Sequence, residues 1–219
     1  MNLDFPQIVP SIPFILYGIW VTIKFVIVSA ILGFFLGTIL ALFKIGKFKV
    51  LRWIADAYTS VFRGTPLILQ LMIIYFAVPQ LTGYNISAFL AGILAFGLNS
   101  GAYISEIIRA GIQAVDKGQV EAAKALGVPY RAMMIDIIMP QAMKNILPAL
   151  MNEFITLTKE SALISTIGTL DIMRRAQIVG ADTYLYFEPF LVAGLIYYLM
   201  VVGLTLLGKV VERRLKRSD

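Results

Sequence analysis

A long uncharged stretch sets the class to which this protein belongs. From Gly64 to Ser105 the sequence contains no Asp, Glu, Lys or Arg. As one α-helix this stretch would measure ~63 Å, roughly twice the thickness of the hydrocarbon core of a bilayer. It must therefore fold back, and the turn-forming sequence "VPQLTGYN" at 78–85 is the place where it does so. We expect one membrane span at 65–77 and another at 86–108.

Three further stretches complete the predicted set of spans. The stretch 25–43 carries no charge, 146–167 is apolar with charges inside it, and 189–208 is apolar again. The chain is 59% hydrophobic and 15% charged, which is typical of a membrane protein and not of a water-soluble domain. The sequence predicts an all-α integral membrane protein with five transmembrane helices, residues 1–219 forming a single transmembrane domain.

Basic residues are unevenly distributed among the segments that connect these spans. The segments 44–63, 109–144 and 209–217 hold five Lys or Arg each, which is fifteen of the nineteen in the chain. Cytoplasmic loops are enriched in Lys and Arg, so these three segments are expected in the cytoplasm. The N-terminus is then outside and the C-terminus cytoplasmic.

The composition excludes several classes of chemistry. The chain has no Cys and no His, which rules out disulfides, Cys/His zinc sites and histidine-based catalytic triads, and no metal site is predicted. The phosphate-binding pattern G-x-x-x-x-G-K-[ST] is missing from the sequence. We therefore do not expect an enzyme, and any transport must draw its energy from a partner or an ion gradient. The net charge of +6 reflects basic cytoplasmic loops, and no nucleic-acid partner is expected.

The cytoplasmic segment between spans three and four contains capping signals for two helices. Asp116 can cap a first helix at 117–126, and Gly127 suits the position after its end. Pro129 can start a second helix, which is expected to run to Pro140.

Small apolar residues form one face of the first of these helices. Val120, Ala123 and Leu126 recur every three residues, flanked by charged neighbours. Such a face can insert into the groove of a partner protein, or the helix can be a plain amphipathic connector lying on the membrane. The helical pattern alone does not separate these alternatives.

The sequence of this loop resembles a known motif. "EAAKALG" at 121–127 followed by "IIMP" at 137–140 resembles the EAA loop of the membrane subunits of binding-protein-dependent ABC importers. The segments "FRGTPLILQL" at 62–71, "NSGAYISEIIRAGI" at 99–112 and "NEFITLTKESAL" at 152–163 resemble the histidine, arginine and glutamine permeases of that group. The positions that match the EAA motif are Glu121, Ala122, Ala123, Gly127, Ile138 and Pro140.

The resemblance implies a type I ABC importer fold and a set of partners. Residues 116–140 would form a coupling loop on a separate cytoplasmic ATPase, which would hold ATP and Mg²⁺, while this chain needs no cofactor. A second permease subunit, identical or a close paralogue, and an extracytoplasmic amino-acid-binding protein facing 168–188 would complete the assembly in a prokaryotic cell membrane. The implied ATPase-coupling residues are Val120, Glu121, Ala122, Ala123, Leu126 and Gly127.

Polar residues inside the predicted spans are candidate pathway residues, because ionisable groups at membrane depth are costly and mark a pathway or a buried pair. In span four, Asn152, Thr156 and Lys159 follow the spacing i, i+4, i+7, and Glu153, Thr156 and Glu160 follow i, i+3, i+7. All five therefore lie on one side of the helix. Residues from the other spans and the end of span four complete the candidate set: Arg63, Thr65, Gln70, Asn99, Tyr103 and Ser161.

Several interpretations of these polar residues remain open. The carboxylates of span four suit a basic amino acid, with glutamine also possible, whereas pairing such as Glu106 with Arg109 would be purely structural. An ion-coupled secondary transporter could use Glu106, Glu153 and Glu160 as ion sites. A serine–lysine enzyme built from Ser161 and Lys159 is disfavoured, because residues two apart on a helix point to different faces.

Two pairs of glycines indicate close helix packing. Gly33 and Gly37 in the first span, and Gly97 and Gly101 in the third, each form the pattern G-x-x-x-G. In membranes this pattern lets helix backbones approach each other closely. We expect these surfaces to pack rather than to take part in binding.

Overall fold

The computed structural model describes residues 3–216, and the surroundings of side chains as far as residue 213. Over this range all regular elements are helical. The α-helices are α1 (Phe5–Ile8), α2 (Ile12–Ile45), α3 (Lys49–Gly64), α4 (Leu67–Met72), α5 (Val78–Thr82), α6 (Ala88–Gln113), α7 (Lys117–Ala125), α8 (Tyr130–Ala132), α9 (Met139–Glu160), α10 (Ile172–Thr183) and α11 (Phe187–Lys216). Short 3₁₀ segments cover Val9–Ser11 and Ser161–Ile167, and π-helical segments cover Ile73–Ala77 and Met133–Ile138.

Three helical stretches are long and apolar enough to cross a membrane. They are Phe5–Ile45, Ala88–Gln113 and Phe187–Arg213, and the bent pair Lys49–Gly64 with Leu67–Thr82 can supply a fourth. The prediction of an all-α membrane protein is confirmed. Five spans remain a prediction, since α9, which holds most of the expected fourth span, is not among the stretches that qualify by length and composition.

The two G-x-x-x-G patterns form the contact between α2 and α6. A Cβ added at Gly33 would lie 2.9 Å from Cβ of Ser100, and one added at Gly37 would lie 2.7 Å from Cβ of Ile104. On the opposite helix, a Cβ at Gly97 would lie 2.5 Å from Leu32. Side chains larger than hydrogen would separate the two helices, so the expected close packing is confirmed.

Aromatic rings fill the centre of the bundle beside this contact. Phe25 on α2 and Phe96 on α6 are fully buried, with ring centroids 4.9 Å apart in an edge-to-face arrangement. Leu71 of α4 and Ile164, just after α9, pack against the same cluster. The core thus joins the helices that carry most candidate pathway residues.

The chain bends sharply between α3 and α4. The axis of α3 makes an angle of 101° with that of Leu67–Thr82. Pro66 has an extended backbone, with φ −63° and ψ 135°, and directly precedes α4. A proline cannot donate the hydrogen bond that would continue α3, so the bend occurs there.

The segment between α6 and α9 begins as its sequence predicts, and its second helix ends differently. The Asp116 carboxylate accepts a hydrogen bond of 2.6 Å from the backbone N–H of Gly118, and Gly127 adopts a left-handed φ of 68° after α7. The second helix was expected to stop at Pro140, and this is wrong. The chain continues from α8 through the π-helical segment into α9, with Pro140 in the first turn of α9. The wider π turn directly before Pro140 relieves the clash that a proline ring makes with a preceding α turn.

Candidate functional site

Polar side chains close the bend between α3 and α4. The carbonyl of Phe62 loses its ordinary helical partner, because residue 66 is a proline without an N–H. Two side-chain amides replace that partner, Gln70 donating at 2.9 Å and Asn99 at 3.0 Å. The bend is therefore held by side chains from α4 and α6.

The same amides are also bonded to each other. Asn99 donates to the side-chain oxygen of Gln70 at 3.0 Å, and Gln70 donates to the hydroxyl of Thr65 at 2.9 Å. Both amides are buried. Thr65, Gln70 and Asn99, all predicted as pathway residues, are brought together here in a network that stabilises the backbone. We call it the bend network.

A buried ion cluster joins the C-terminal parts of α2 and α6 to the middle of α3. The Lys44 ammonium contacts a carboxylate oxygen of Glu106, donates to Thr59 at 2.7 Å and lies 3.2 Å from Asp56. The Lys44 side chain is only 3% exposed. Removing a lysine from water is costly unless it is paired, and these partners come from α3 and α6. The cluster therefore fastens three helices together.

Arginines extend this cluster toward its edge. Arg109 donates to Glu106 at 2.6 Å, and Arg63 lies 4.0 Å from the same carboxylate and over the ring of Tyr103 at 5.2 Å. The predicted pairing of Glu106 with Arg109 is thus present in the structure. The structure places Arg63 and Tyr103, both candidate pathway residues, beside this cluster. No sequence pattern identifies Lys44 and Asp56 as partners of Glu106, because the contacts join separate helices.

The candidate residues of α9 are placed differently. Asn152, Lys159 and Glu160 are exposed on the surface of the chain, and none of the three forms a hydrogen bond or salt bridge within the described residues. Glu153 and Thr156 are half-buried between them. The side that the spacing predicted is thus a continuous polar stripe on the protein surface, which we call the α9 stripe.

Glu153 connects the α9 stripe to the bundle. Its carboxylate accepts a hydrogen bond of 2.9 Å from the hydroxyl of Ser100, which is fully buried where α6 meets α2. Beside it lies an otherwise apolar cleft, whose lining includes Phe34, Ile104 and Leu150. This carboxyl group is held in a fixed position next to an apolar surface, which suits a ligand with a cationic head and an aliphatic chain.

Ser161 does not belong to this stripe. It is fully buried and its hydroxyl donates to the carbonyl of Thr158 at 2.8 Å. The structure thus separates Ser161 from Lys159, which is exposed. The remaining candidates of span four stay together.

The structure places the predicted coupling residues on two different sides of α7. Ala123 is 3% exposed and packs inside the loop against Met133 and Ile138, so it cannot belong to a free docking face. Val120 packs against the same small core, whereas Leu126 is 83% exposed. The predicted coupling residues that do face outward are Glu121, Ala122, Leu126 and Gly127.

Comparison with known proteins identifies the family. Residues 33–217 match the family described as binding-protein-dependent transport system inner membrane component. The chain belongs to this family, and the resemblance of its EAA loop and its three other motifs is confirmed.

Individual relatives match over nearly their whole length. The arginine transport system permease protein ArtQ of Bacillus subtilis (strain 168) is 62% identical over 219 residues, which is all of both chains. A putative glutamine transport system permease protein GlnP of Rickettsia bellii (strain RML369-C) is 53% identical over 206 residues, 94% of each chain. A crystal structure of an amino acid ABC transporter with histidines has a TM-score of 0.94 and 45% identity, and the match covers 98% of this chain and 100% of that one.

These matches assign the class of protein. The chain is the permease subunit of an amino acid ABC importer, with the type I importer fold. It transports and does not catalyse, because ATP hydrolysis in this family belongs to a separate subunit. Nothing in the comparisons supports the ion-coupled alternative.

Proposed function

We propose that this permease carries polar, basic amino acids of the arginine, histidine and lysine type, with glutamine as a possible further substrate, and that the α9 stripe lines their pathway. The observation that carries the proposal is the exposure of Asn152, Lys159 and Glu160 beside the fixed carboxylate of Glu153. Charged side chains on a membrane helix do not face lipid. They must face a pathway or another subunit.

A second permease subunit, identical or closely related, accounts for this surface. One chain presents the α9 stripe as an open face, and a second chain packed opposite it would convert that face into an enclosed path. Lys159 and Glu160 would then meet the carboxylate and ammonium groups of a free amino acid, while Glu153 would select a basic side chain.

The proposed topology has five spans in a prokaryotic cytoplasmic membrane. The second span is formed by α4 and α5, and the fourth by α9 with the 3₁₀ segment that follows. The distribution of Lys and Arg supports an outer N-terminus and a cytoplasmic C-terminus. The segment 168–188 would then face an extracytoplasmic amino-acid-binding protein.

The coupling loop meets the ATPase on the opposite side. The outward residues of α7 and its end, Glu121, Ala122, Leu126 and Gly127, would contact a cytoplasmic ATPase that holds ATP and Mg²⁺. Movement of α7 would shift the bundle between inward and outward states. The amino acid would be transported because its affinity differs between those states.

Uptake by the reconstituted importer tests the pathway. The chain is placed in vesicles with and without its ATPase and binding protein, and uptake of labelled arginine is followed. We expect uptake only with the ATPase and ATP, and Glu153→Gln should reduce amino-acid stimulation of ATP hydrolysis at least tenfold. Asp4→Asn removes an exposed carboxylate outside both the stripe and the coupling loop and is the matched control. Uptake driven by an ion gradient alone, or an unchanged response of Glu153→Gln, would refute the proposal.

Copurification tests the coupling residues. Leu126→Ser should lower recovery of the ATPase with the permease while leaving the thermal stability of the permease unchanged, because Leu126 is largely exposed. Leu81→Ser, at an equally exposed leucine near the other end of the bundle, is the control. Equal recovery of the ATPase with both variants would argue against docking at Leu126.

A further inference from the structure

Helix α3 has an apolar face that the core does not use. Its inner side is buried through Ala55 and Thr59 against α2 and α6. On a different side, Val50, Trp53 and Val61 are exposed to 70%, 72% and 59%. Ile54 and Ala57 continue this exposed row, so apolar residues recur at 50, 53, 54, 57 and 61, which is the helical period. The helix therefore has two apolar faces and only one is covered.

The remaining side of α3 is polar and basic at its start. Lys49, Arg52, Asp56 and Arg63 share this side, and Lys47 precedes the helix. Arg52 is already engaged, since it donates to the carbonyl of Gly46 at 2.9 Å. Lys47 and Lys49 are exposed at the edge of the apolar row.

The bend at Pro66 fixes how this helix lies relative to the membrane. Because α3 makes an angle of 101° with Leu67–Thr82, it is strongly inclined to the bilayer normal wherever α4 and α5 cross the bilayer. This step rests on the topology proposed above, which puts the start of α3 at the cytoplasmic surface, while its end lies deeper, where the Phe62 carbonyl accepts from Asn99. A helix in that position, with one apolar face, one basic edge and a tryptophan, has the features of an interfacial helix.

We propose that α3 is an interfacial helix that binds anionic phospholipids of the cytoplasmic leaflet. The upper parts of acyl chains pack against Val50, Trp53 and Val61, and the phosphate groups bind Lys47 and Lys49. Three observations select lipid as the occupant. The row is continuous along the exposed side of α3, Lys47 and Lys49 at its start complement anionic headgroups, and Asp56 and Arg63 on the polar side contact the ion cluster at Lys44 instead.

Fluorescence of Trp53 tests the proposal directly. The chain has two tryptophans, so Trp20→Phe leaves Trp53 as the single reporter in the full-length permease. The protein is reconstituted in vesicles with brominated lipids, which quench tryptophans that they contact. One series compares bromine near the carboxyl end of the acyl chain with bromine near its methyl end. A second series compares brominated phosphatidylglycerol with brominated phosphatidylcholine.

The expected result has three parts. Bromine near the carboxyl end should quench Trp53 more strongly than bromine near the methyl end. Phosphatidylglycerol should associate with this site about fivefold more strongly than phosphatidylcholine, as expected for lysines close to an anionic surface. Lys47→Gln with Lys49→Gln should abolish the preference, whereas Lys117→Gln with Lys124→Gln, which removes the same charge from α7, should preserve it.

The contrary results separate this inference from the proposed topology. Strongest quenching by bromine near the methyl end would place α3 inside the bilayer, and would overturn both. Shallow quenching without a preference for phosphatidylglycerol, or a preference that survives the double substitution, would overturn the lipid site alone. Weak quenching by all lipids would mean that protein or water covers the row, for example a second copy of the chain, and would also overturn the proposal.

Discussion

The bend network and the α9 stripe look alike in the sequence and differ in the structure. Both contain amide and hydroxyl residues within apolar stretches, and the α9 stripe contains charged residues as well. In the bend network, Gln70 and Asn99 are buried and bonded to each other and to a backbone carbonyl that Pro66 leaves without its usual donor. In the α9 stripe, Asn152 and Lys159 are exposed and form no hydrogen bond within the described chain.

The difference shows how polar residues of a membrane protein can be sorted. A buried amide whose donors and acceptors are matched inside one chain stabilises that chain. A polar side chain that stands exposed beside apolar surface is available to a ligand or a second subunit. The buried ion cluster at Lys44 belongs with the first kind. Substitutions in the two regions should therefore affect different properties.

The largest effect on stability is expected at the ion cluster. Lys44→Met removes a buried cation that holds Glu106 and Asp56 from two other helices, and should lower the free energy of unfolding by about 3 kcal/mol. Denaturant titration of the purified permease measures this. Lys47→Met, at an exposed lysine nearby, should change the value little. Equal effects of the two variants would show that the cluster does not fasten the helices.

The bend network should give the next largest effect. Asn99→Leu removes the donor to the side-chain oxygen of Gln70 and one of the two side-chain donors to the Phe62 carbonyl. It should lower the free energy of unfolding by about 2 kcal/mol. Gln70→Leu should cost a similar amount. The double variant should lower the free energy of unfolding by about 1 kcal/mol less than the sum of the two single effects, because the two side chains share a hydrogen bond. Strict additivity in the denaturant titration would contradict the network.

Ser100 lies where the two regions meet and should show a smaller effect. Ser100→Ala removes the hydrogen bond to Glu153 and should cost about 1 kcal/mol of stability. It should also weaken amino-acid stimulation of ATP hydrolysis, because Glu153 loses the contact that orients it. Ser105→Ala, which removes a buried hydroxyl bonded within α6, is the control and should leave that stimulation unchanged. An equal loss of stimulation in both variants would show that Ser100 does not act by orienting Glu153.

The smallest effect on stability is expected within the α9 stripe. Lys159→Ala and Asn152→Ala should each change the free energy of unfolding by less than about 0.5 kcal/mol, since exposed side chains contribute little. Both should nonetheless reduce amino-acid uptake in reconstituted vesicles. A large loss of stability together with normal uptake would show that the α9 stripe stabilises the chain and does not line the pathway.

Local features of the fold could be predicted from the sequence. The uncharged stretches, the cap at Asp116 and the left-handed Gly127 depend on neighbouring residues, and the structure agrees with them. The inward position of Ala123 could not be predicted, because it depends on how Met133 and Ile138 fold back over α7. A helical face identifies residues that act together and does not say which side the fold will cover.

The candidate site was predictable to a similar extent. The spacing in α9 identified a polar side that the structure confirms as one surface. Pro66 indicates that the carbonyl four residues earlier, in Phe62, lacks its usual N–H donor. The sequence does not show that Asn99, on another helix, supplies a donor instead. Contacts between helices were therefore the part that sequence reasoning missed.

The π-helical segment Met133–Ile138 affects the direction in which the α9 stripe faces relative to the outward face of α7. A π turn closes its hydrogen bond at i+5 instead of i+4, so it holds one residue more than an α turn. The residues beyond it are therefore displaced by about 100° around the helix axis from the positions that an uninterrupted α-helix would give them. The direction of Glu153 relative to the outward face of α7 thus depends on this segment, and one residue inserted into an α turn of α9 ahead of Glu153, where no π turn absorbs it, would turn the α9 stripe away without altering either surface.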